Sequence, residues 1–315
     1  MTFDLAGKKI YVAGHRGMVG SALLRRFERD GIDCLTARRG DVDLRDQASV
    51  RAFMGRERPE VIVIAAAKVG GIHANDTQPA DFIYDNIMIE ANLIEAAHRT
   101  DVEKLVLLGS SCIYPRLAPQ PMNEDLLLTG PLEPTNEWYA VAKIAGIKFC
   151  QAYRKQHGRN YISCQPTNLY GPNDNFNLAN SHVLPALLRK MHEAKTSNSA
   201  AMQVWGTGTP RREFLHVDDL ADAVVYLLRH YDGETPLNIG WGHDMTISEV
   251  AELIRTVVGF TGDIVYDPSK PDGTPRKLLD TTRINALGWR PRIAFADGLR
   301  DLYGWFQEHE ALARR

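Results

Sequence analysis

The chain has 315 residues, enough to bury a large core and to form more than one simple domain. Its formal net charge of −2 and the absence of a long apolar run argue against nucleic-acid and membrane partners. Met1–Asp4 lacks the features of a signal peptide, and Cys34, Cys112, Cys150 and Cys164 lack the spacing of a metal or disulfide site. We therefore expect a cytoplasmic protein with no metal centre.

The first half of the chain alternates apolar strands with helical segments. In chain order, the predicted strands are Lys8–Ala13, Asp33–Thr36, Val61–Ala65, Leu105–Leu108 and Tyr161–Cys164, and the main predicted helices are Met18–Arg29, Phe82–His98 and Trp138–His157. Continuous apolar strands between helices are typical of a parallel sheet covered on both faces. The pattern predicts an α/β fold with a doubly wound parallel (Rossmann) sheet.

The pattern changes after Asn168–Pro172, where a loop rich in Asn, Pro and Gly extends to Asn180. Leu215–Val217 and Asp218–His230 then indicate a strand and a helix that return to the sheet. We predict a Rossmann domain of residues 1–172 with a return segment near 213–240. Residues 173–212 and 241–315 are predicted to form a smaller substrate-binding region.

A glycine-rich turn follows the first predicted strand directly and opens the first helix. It consists of Gly14, His15, Arg16, Gly17, Met18, Val19 and Gly20. Glycines allow a tight turn and a close approach of backbone N–H groups to a pyrophosphate. The helix N-terminus adds a partial positive charge, so this turn predicts a dinucleotide site.

The end of the second strand distinguishes NADP from NAD. A free ribose 2′-hydroxyl usually contacts an acidic residue there. This sequence instead has Arg38 and Arg39, with no acid until Asp41, and Arg16 lies in the glycine turn. Guanidinium groups suit a 2′-phosphate, which favours NADP. The alternative, that one or both of Arg38 and Arg39 are only solvated surface charges, stays open.

Tyr139 and Lys143 are four residues apart, which places both side chains on one face of a helix. The ammonium charge is expected to lower the pKa of the phenol and to make it a proton donor near neutral pH. An ordinary amphipathic helix gives the same spacing. The nucleotide site upstream favours a reaction centre over that alternative.

Longer strings carry a family resemblance over residues from about 8 to about 305. They are Gly14–Gly20, Ala65–Ile72, Gly109–Pro115, Pro134–Glu137, Asn168–Pro172, Asn180–Val183, Arg212–Asp219 and Lys270–Lys277. With Ser110 after the fourth strand, they resemble the extended short-chain dehydrogenase/reductases. Among these, the chain is similar to the GDP-L-fucose synthase family, the GDP-4-keto-6-deoxy-D-mannose 3,5-epimerase-4-reductases.

The resemblance implies a bifunctional active site. That family epimerises C3 and C5 of a 4-keto sugar and then reduces C4 with NADPH. Ser110 and Tyr139 would contact the substrate oxygen, Lys143 would also hold the nicotinamide ribose, and Cys112 and His182 would exchange the protons. Taken alone, Cys112 fits a small packed residue and His182 a surface residue, and their acid and base roles stay open.

The resemblance also implies further contacts and a homodimer formed through the two long helices. The implied cofactor contacts outside the glycine turn are Arg39, Ala65, Ala66, Lys143, Asn168, Leu169 and His182. The implied contacts to the GDP-sugar are Lys190, Trp205, Arg212 and Asp272. For Trp205, a place in the core is an equally good interpretation.

Two other functions fit parts of the pattern. A nucleotide-sugar 4-epimerase of the same fold would recycle NAD, prefer an acid after the second strand and need no Cys/His pair. A nonenzymatic NADP-binding regulatory protein would not require Ser110, Tyr139 and Lys143, all of which are present.

Overall fold

The computed structural model describes residues 2–178, 181–270 and 272–310, without the side chains of Ile72 and His73. Asn180 and Pro271, which belong to two of the family strings, lie outside the described residues. The strands are β1 Ile10–Ala13, β2 Cys34–Leu35, β3 Val61–Ile64, β4 Lys104–Leu108, β5 Asn160–Pro166, β6 Asn168–Tyr170, β7 Ala201–Trp205, β8 Arg211–His216, β9 Leu237–Ile239, β10 Asp244–Thr246, β11 Asp263–Asp267 and β12 Arg276–Lys277. The α-helices are α1 Met18–Arg29, α2 Gln47–Glu57, α3 Ile72–Thr77, α4 Pro79–Arg99, α5 Glu137–His157, α6 Val183–Thr196, α7 Val217–His230, α8 Ile247–Val258, α9 Thr282–Ala286 and α10 Phe295–Glu308.

Six parallel strands form the main sheet in the order β2-β1-β3-β4-β5-β9. Val12, Val63, Val106 and Ile162 lie opposite one another across four of these strands and share one buried core. Alternate strand residues face the other side, where they pack with α2, α4 and α5. Helices α1 and α7 cover the first face, so the predicted doubly wound α/β fold is confirmed.

The smaller region has a hydrophobic core of its own. Helices α6, α8 and α10 surround it, and β7 pairs with β11 beside it. A short sheet of β10, β8 and β12, with β6 also paired to β8, links this region to the end of β5. In the described ranges, no helix combines the length and apolarity needed to cross a membrane.

The predicted return of Leu215–Val217 to the main sheet is wrong. Leu215 lies in β8, which pairs with β6, β10 and β12. The place beside β5 belongs to β9, with Cys164 opposite Leu237, so the return consists of α7 and β9. His216 is buried at the start of α7, where its Nδ1 accepts a hydrogen bond from the Asp218 backbone N–H at 3.3 Å.

The parallel strands determine where loop residues meet. Because β1, β3, β4 and β5 run in one direction, their carboxyl ends lie along one edge of the sheet. Gly14, Ala65 and Ser110 follow the first three of these strands, and Asn168 follows the fourth. Side chains from four distant parts of the sequence therefore converge at that edge.

Candidate active site

A cleft of about 1670 Å³ opens at the carboxyl edge of the main sheet and extends against the smaller region. All of the residues predicted for catalysis, cofactor binding and substrate binding line it. They are Gly14, His15, Arg16, Gly17, Met18, Val19, Gly20, Arg39, Ala65, Ala66, Ser110, Cys112, Tyr139, Lys143, Asn168, Leu169, His182, Lys190, Trp205, Arg212 and Asp272. The fold thus brings the whole predicted set together.

The glycine turn packs tightly against the chain that follows β3. Gly14 has a φ of +88°, and a Cβ atom there would lie 2.6 Å from the backbone nitrogen of Ala66. A Cβ atom on Gly20 would lie 2.1 Å from the carbonyl oxygen of Gly14. Only glycine fits at both positions without movement of the backbone. The first turn of α1 is thereby held open to the cleft.

The end of β2 is electropositive. Arg16, Arg38 and Arg39 line the cleft, and the Arg38 backbone N–H donates to Asp41 at 2.9 Å. The Arg39 side chain is 73% exposed and lies 3.9 Å from Asp43. Burial lowers the pKa of His15, and the charges of Arg16 and Arg38 lower it further, although Asp41 opposes them.

The reaction centre joins the loop after β4 to the first turn of α5. The Ser110 hydroxyl accepts a hydrogen bond from the Cys112 backbone N–H at 3.2 Å. Lys143 lies 5.8 Å from the centre of the Tyr139 ring, and its ammonium donates to the Leu108 carbonyl at 3.0 Å and to Glu90 at 2.9 Å. The predicted Tyr139/Lys143 pair therefore also includes a buried carboxylate.

The electrostatics of Tyr139 differ from the sequence expectation. Burial raises the pKa of the phenol above its usual value, although the Lys143 charge and a hydrogen bond with Ser110 lower it. Cys112 and Glu90 add to the rise. The phenol therefore stays protonated at neutral pH, because desolvation and the carboxylate outweigh the ammonium.

Cys112 has two donors on its sulfur atom. Lys277 Nζ lies 3.3 Å from Sγ and Asn136 Nδ2 lies 3.4 Å from it. A positive charge beside a sulfur atom stabilises negative charge on it. The contact joins residues 165 positions apart in the sequence and arises because β12 packs beside β8.

His182 stands at the start of α6, on the side of the cleft formed by the smaller region. His182 is solvent-exposed, but it lies within the cleft, where the surrounding walls limit its contact with bulk water. Burial within the cleft and then the charge of Lys277 lower the pKa of His182. The ring is neutral at pH 7 and can accept a proton.

The far end of the cleft has a solvent-exposed aromatic ring with cations over it. Trp205 is 60% exposed, which excludes a place in the core. Lys190 Nζ lies 4.7 Å from the centre of its ring and Lys270 Nζ lies 5.5 Å from it. Asp272 accepts hydrogen bonds from the backbone N–H and the hydroxyl of Thr207 at 2.7 and 2.8 Å.

Comparisons with known proteins identify the family. Residues 10–240 match the NAD dependent epimerase/dehydratase family. The GDP-L-fucose synthase of Escherichia coli K12 is 54% identical over 316 residues, covering 97% of this chain and 98% of that protein. The chain belongs to the GDP-L-fucose synthase family.

Solved structures agree with this membership. A GDP-L-fucose synthetase from Naegleria fowleri bound to NADP has a TM-score of 0.90 at 28% identity, covering 100% of this chain and 98% of that one. A GDP-6-OMe-4-keto-L-xylo-heptose reductase from C. jejuni has a TM-score of 0.92 at 35% identity, covering 98% and 100%. The GDP-L-fucose synthase family resemblance inferred from the sequence strings is therefore confirmed.

Three residues that contact the predicted catalytic side chains are not among the residues predicted from the sequence. Asn136 and Lys277 belong to the sequence strings that indicate the family. Those strings do not show that both side chains contact the Cys112 sulfur. Glu90 lies on α4 outside every quoted string. Its only sequence signal is an acidic residue among the apolar positions of a helix that packs against the sheet.

Replacing Gly20 with Ala tests the geometry of the glycine turn. The new Cβ would collide with the Gly14 carbonyl, so we expect a loss of at least about tenfold in NADPH affinity and a lower melting temperature. Calorimetric titration and thermal melting measure these changes. Gly55→Ala is the control, because a Cβ atom there meets nothing within 4 Å, and it should be neutral or stabilising by up to ~1 kcal/mol. Wild-type affinity and stability in Gly20→Ala would contradict the described turn.

Proposed function

We propose that this chain is an NADPH-dependent epimerase-reductase that converts GDP-4-keto-6-deoxy-D-mannose into GDP-L-fucose. The observation that carries the proposal is that two sets of proton-transfer groups meet in one cleft. Ser110 and Tyr139 form the first set. The second set consists of Cys112, two residues after Ser110, and Lys277, whose ammonium contacts the Cys112 sulfur. Such a cleft can epimerise the carbons beside a ketone and also reduce the ketone itself.

The cleft residues fit NADP. The glycine turn and the first turn of α1 suit a pyrophosphate, and Arg16, Arg38 and Arg39 suit a 2′-phosphate. We assign the cleft residues between these groups and the reaction centre to the nicotinamide half of the cofactor; they are Ala65, Ala66, Asn168 and Leu169. Lys143 would contact the nicotinamide ribose, and His182 would contact the cofactor from across the cleft. When bound, NADPH supplies the hydride.

Epimerisation begins at the carbons beside the ketone. Their protons are acidic because the carbanion delocalises onto the C4 oxygen as an enolate. Ser110 and Tyr139 donate hydrogen bonds to that oxygen and stabilise its charge. Cys112 and His182 lie on different walls of the cleft, so one can remove a proton while the other returns one from the opposite face of the ring. Lys277 stabilises negative charge on the Cys112 sulfur during this exchange.

Reduction uses the same oxygen. As C4 accepts the hydride, Tyr139 transfers its phenolic proton to the C4 oxygen and Ser110 holds the geometry. The raised pKa of Tyr139 keeps that proton in place until the transfer. The ammonium of Lys143 then stabilises the phenolate that is left.

The far end of the cleft suits a nucleoside diphosphate. The exposed Trp205 ring offers a surface on which a base can stack, and Lys190 adds positive charge above it. Arg212 lies opposite Lys277 in the β8–β12 pair, lines the cleft and suits a phosphate. Asp272 orders the loop at Thr207 beside them.

Incubation of the purified protein with NADPH and GDP-4-keto-6-deoxy-D-mannose tests the activity. We expect one NADPH to be oxidised for each sugar, as measured by the loss of NADPH absorbance. UDP- and dTDP-linked 4-keto sugars should be turned over more slowly. The variant Tyr139→Phe is the control and should lose reduction. No stoichiometric oxidation by the wild type would reject the proposal. Turnover of NAD without net oxidation would favour a nucleotide-sugar 4-epimerase instead.

Replacing Cys112 with Ser separates the two reactions. We expect solvent-deuterium uptake at C3 and C5 to slow by at least about a hundredfold, because general acid–base catalysis contributes on that order. Reduction of a substrate that is already epimerised should change much less, because Tyr139 and Ser110 remain. Nuclear magnetic resonance measures the first rate and absorbance the second. Normal deuterium uptake in the variant would remove Cys112 from the mechanism.

We also infer a homodimer in the cytoplasm. Helices α4 and α5, which pack on each other, leave the apolar side chains of Tyr84, Trp138 and Val141 exposed, as expected if a second copy covers these helices. The four cysteines are free thiols, as expected in a reducing compartment. Cell fractionation should recover the protein with cytoplasmic markers, and recovery with the membrane or periplasmic fraction would contradict this location.

Light scattering tests the assembly. We expect twice the chain mass of 35.2 kDa, and a shift towards the single-chain mass in Trp138→Glu, because a buried charge disfavours the interface. Val265→Glu, at a half-exposed position on β11 in the smaller region, is the matched control and should leave the mass unchanged. A wild-type mass of one chain would rule out the homodimer.

A further inference from the structure

We infer that Glu90 is a positioning residue for the reduction step: its carboxylate fixes the Lys143 ammonium beside Tyr139 and partly cancels the positive charge there. This inference deepens the proposed function and rests on it. Glu90 does not reach the cleft lining and acts through Lys143.

The contact between Glu90 and Lys143 is closed to solvent. The two atoms Nζ and Oε1 lie 2.9 Å apart, and the Lys143 and Glu90 side chains are 3% and 1% exposed. The ammonium also donates to the Leu108 carbonyl at 3.0 Å. Two of its three protons are therefore directed towards α4 and β4. One remains for the cleft, which fixes the direction in which Lys143 can act.

The packing of α4 on α5 makes room for this carboxylate. Gly146 lies one turn after Lys143, and a Cβ atom there would lie 2.2 Å from Glu90 Oε2 and 2.8 Å from Leu107 Cδ2. Among the described residues, Oε2 has no hydrogen-bond partner. An unpaired carboxylate oxygen in a buried site is destabilising. A purely structural α4–α5 contact would be served better by an apolar side chain.

The charges around the pair explain its effect. In the described part of the chain, the titratable groups beside the pair are Tyr139 and Cys150 from α5, and Cys112 acts on Tyr139 from the loop after β4. Burial raises the pKa of Glu90, and the Lys143 ammonium, 2.9 Å from its Oε1, opposes that rise and favours the charged carboxylate. Burial lowers the pKa of Lys143, but Glu90 and Tyr139 raise it above its usual value.

Removal of the carboxylate charge changes both neighbours in the same direction. Lys143 loses the charge that stabilises its ammonium, so its pKa falls. Tyr139 then meets an ammonium without a counter-charge and without the repulsion from Glu90, so the pKa of the phenol also falls. Both groups act in reduction in their protonated forms. The loss of rate at high pH must therefore begin at a lower pH.

Glu90→Gln keeps the size of the side chain and removes its charge. We expect the basic limb of the single-turnover rate of NADPH oxidation to move down by at least about one pH unit. Glu95→Gln is the matched control: it removes a carboxylate from the same helix, where Glu95 pairs with Arg51 and Arg99 away from the cleft. Its pH profile should match that of the wild type.

A second readout is independent of turnover. With ¹³C-labelled tyrosine, the Tyr139 signal is assigned by its loss in Tyr139→Phe, and its titration is compared in wild type and Glu90→Gln. A midpoint that moves to lower pH supports the inference. An unchanged midpoint and an unchanged basic limb, with only the melting temperature altered, would overturn it and leave Glu90 a structural residue.

Glu90→Asp covers the case in which Glu90→Gln does not fold. It keeps the charge but shortens the side chain, so the basic limb should shift in the same direction by a smaller amount, and an unchanged limb would overturn the inference. The two proposals fail differently. A wild type without NADPH oxidation rejects the proposed function, whereas an active wild type with an unchanged Glu90→Gln profile rejects this inference alone.

Discussion

The parallel alignment of β1, β3, β4 and β5 is the constraint on which the site depends. It brings the glycine turn, Ala65, Ser110 and Asn168 to one edge of a buried sheet, although they are far apart in the sequence. The smaller region then closes the other side of the cleft with α6, β7 and β12. This arrangement agrees with our proposal that the edge of the sheet binds the cofactor and the smaller region binds the substrate.

The cleft controls charge through burial as much as through contact. Tyr139 meets an ammonium, yet its pKa rises because the surroundings exclude water and Glu90 offsets Lys143. His182 is held neutral by the same enclosure and by Lys277. One cleft therefore holds both a protonated phenol and an imidazole that is free to accept a proton, because the two groups have different neighbours.

Local sequence signals predicted most of the first half of the fold. The bounds of α1 agree at Met18–Arg29, and Val61–Ala65 differs from β3 by one residue, because apolar runs and glycine turns are local properties. The pairing of strands is not a local property. The sequence around Leu215 predicts a strand correctly, but the sheet that this strand joins depends on β9, which occupies the edge beside β5.

The same limit applies to the site. The strings marked Cys112 and Lys277 separately, but only the packing of β12 beside β8 shows that they touch. The proposed role of Glu90 depends on the space beside Gly146, and the hydrophobic pattern of the sequence does not reveal that space. Trp205 was ambiguous in sequence because alternation along β7 does not say which face is buried.

We propose that one cleft epimerises C3 and C5 and reduces C4 of the same sugar. Nuclear magnetic resonance of the product that the wild type forms in D₂O with ordinary NADPH distinguishes this from simple reduction. We expect GDP-L-fucose with deuterium at C3 and C5 and protium at C4. A 4-reduced product that keeps protium and the original configuration at C3 and C5 would contradict it and leave a simple C4 reductase.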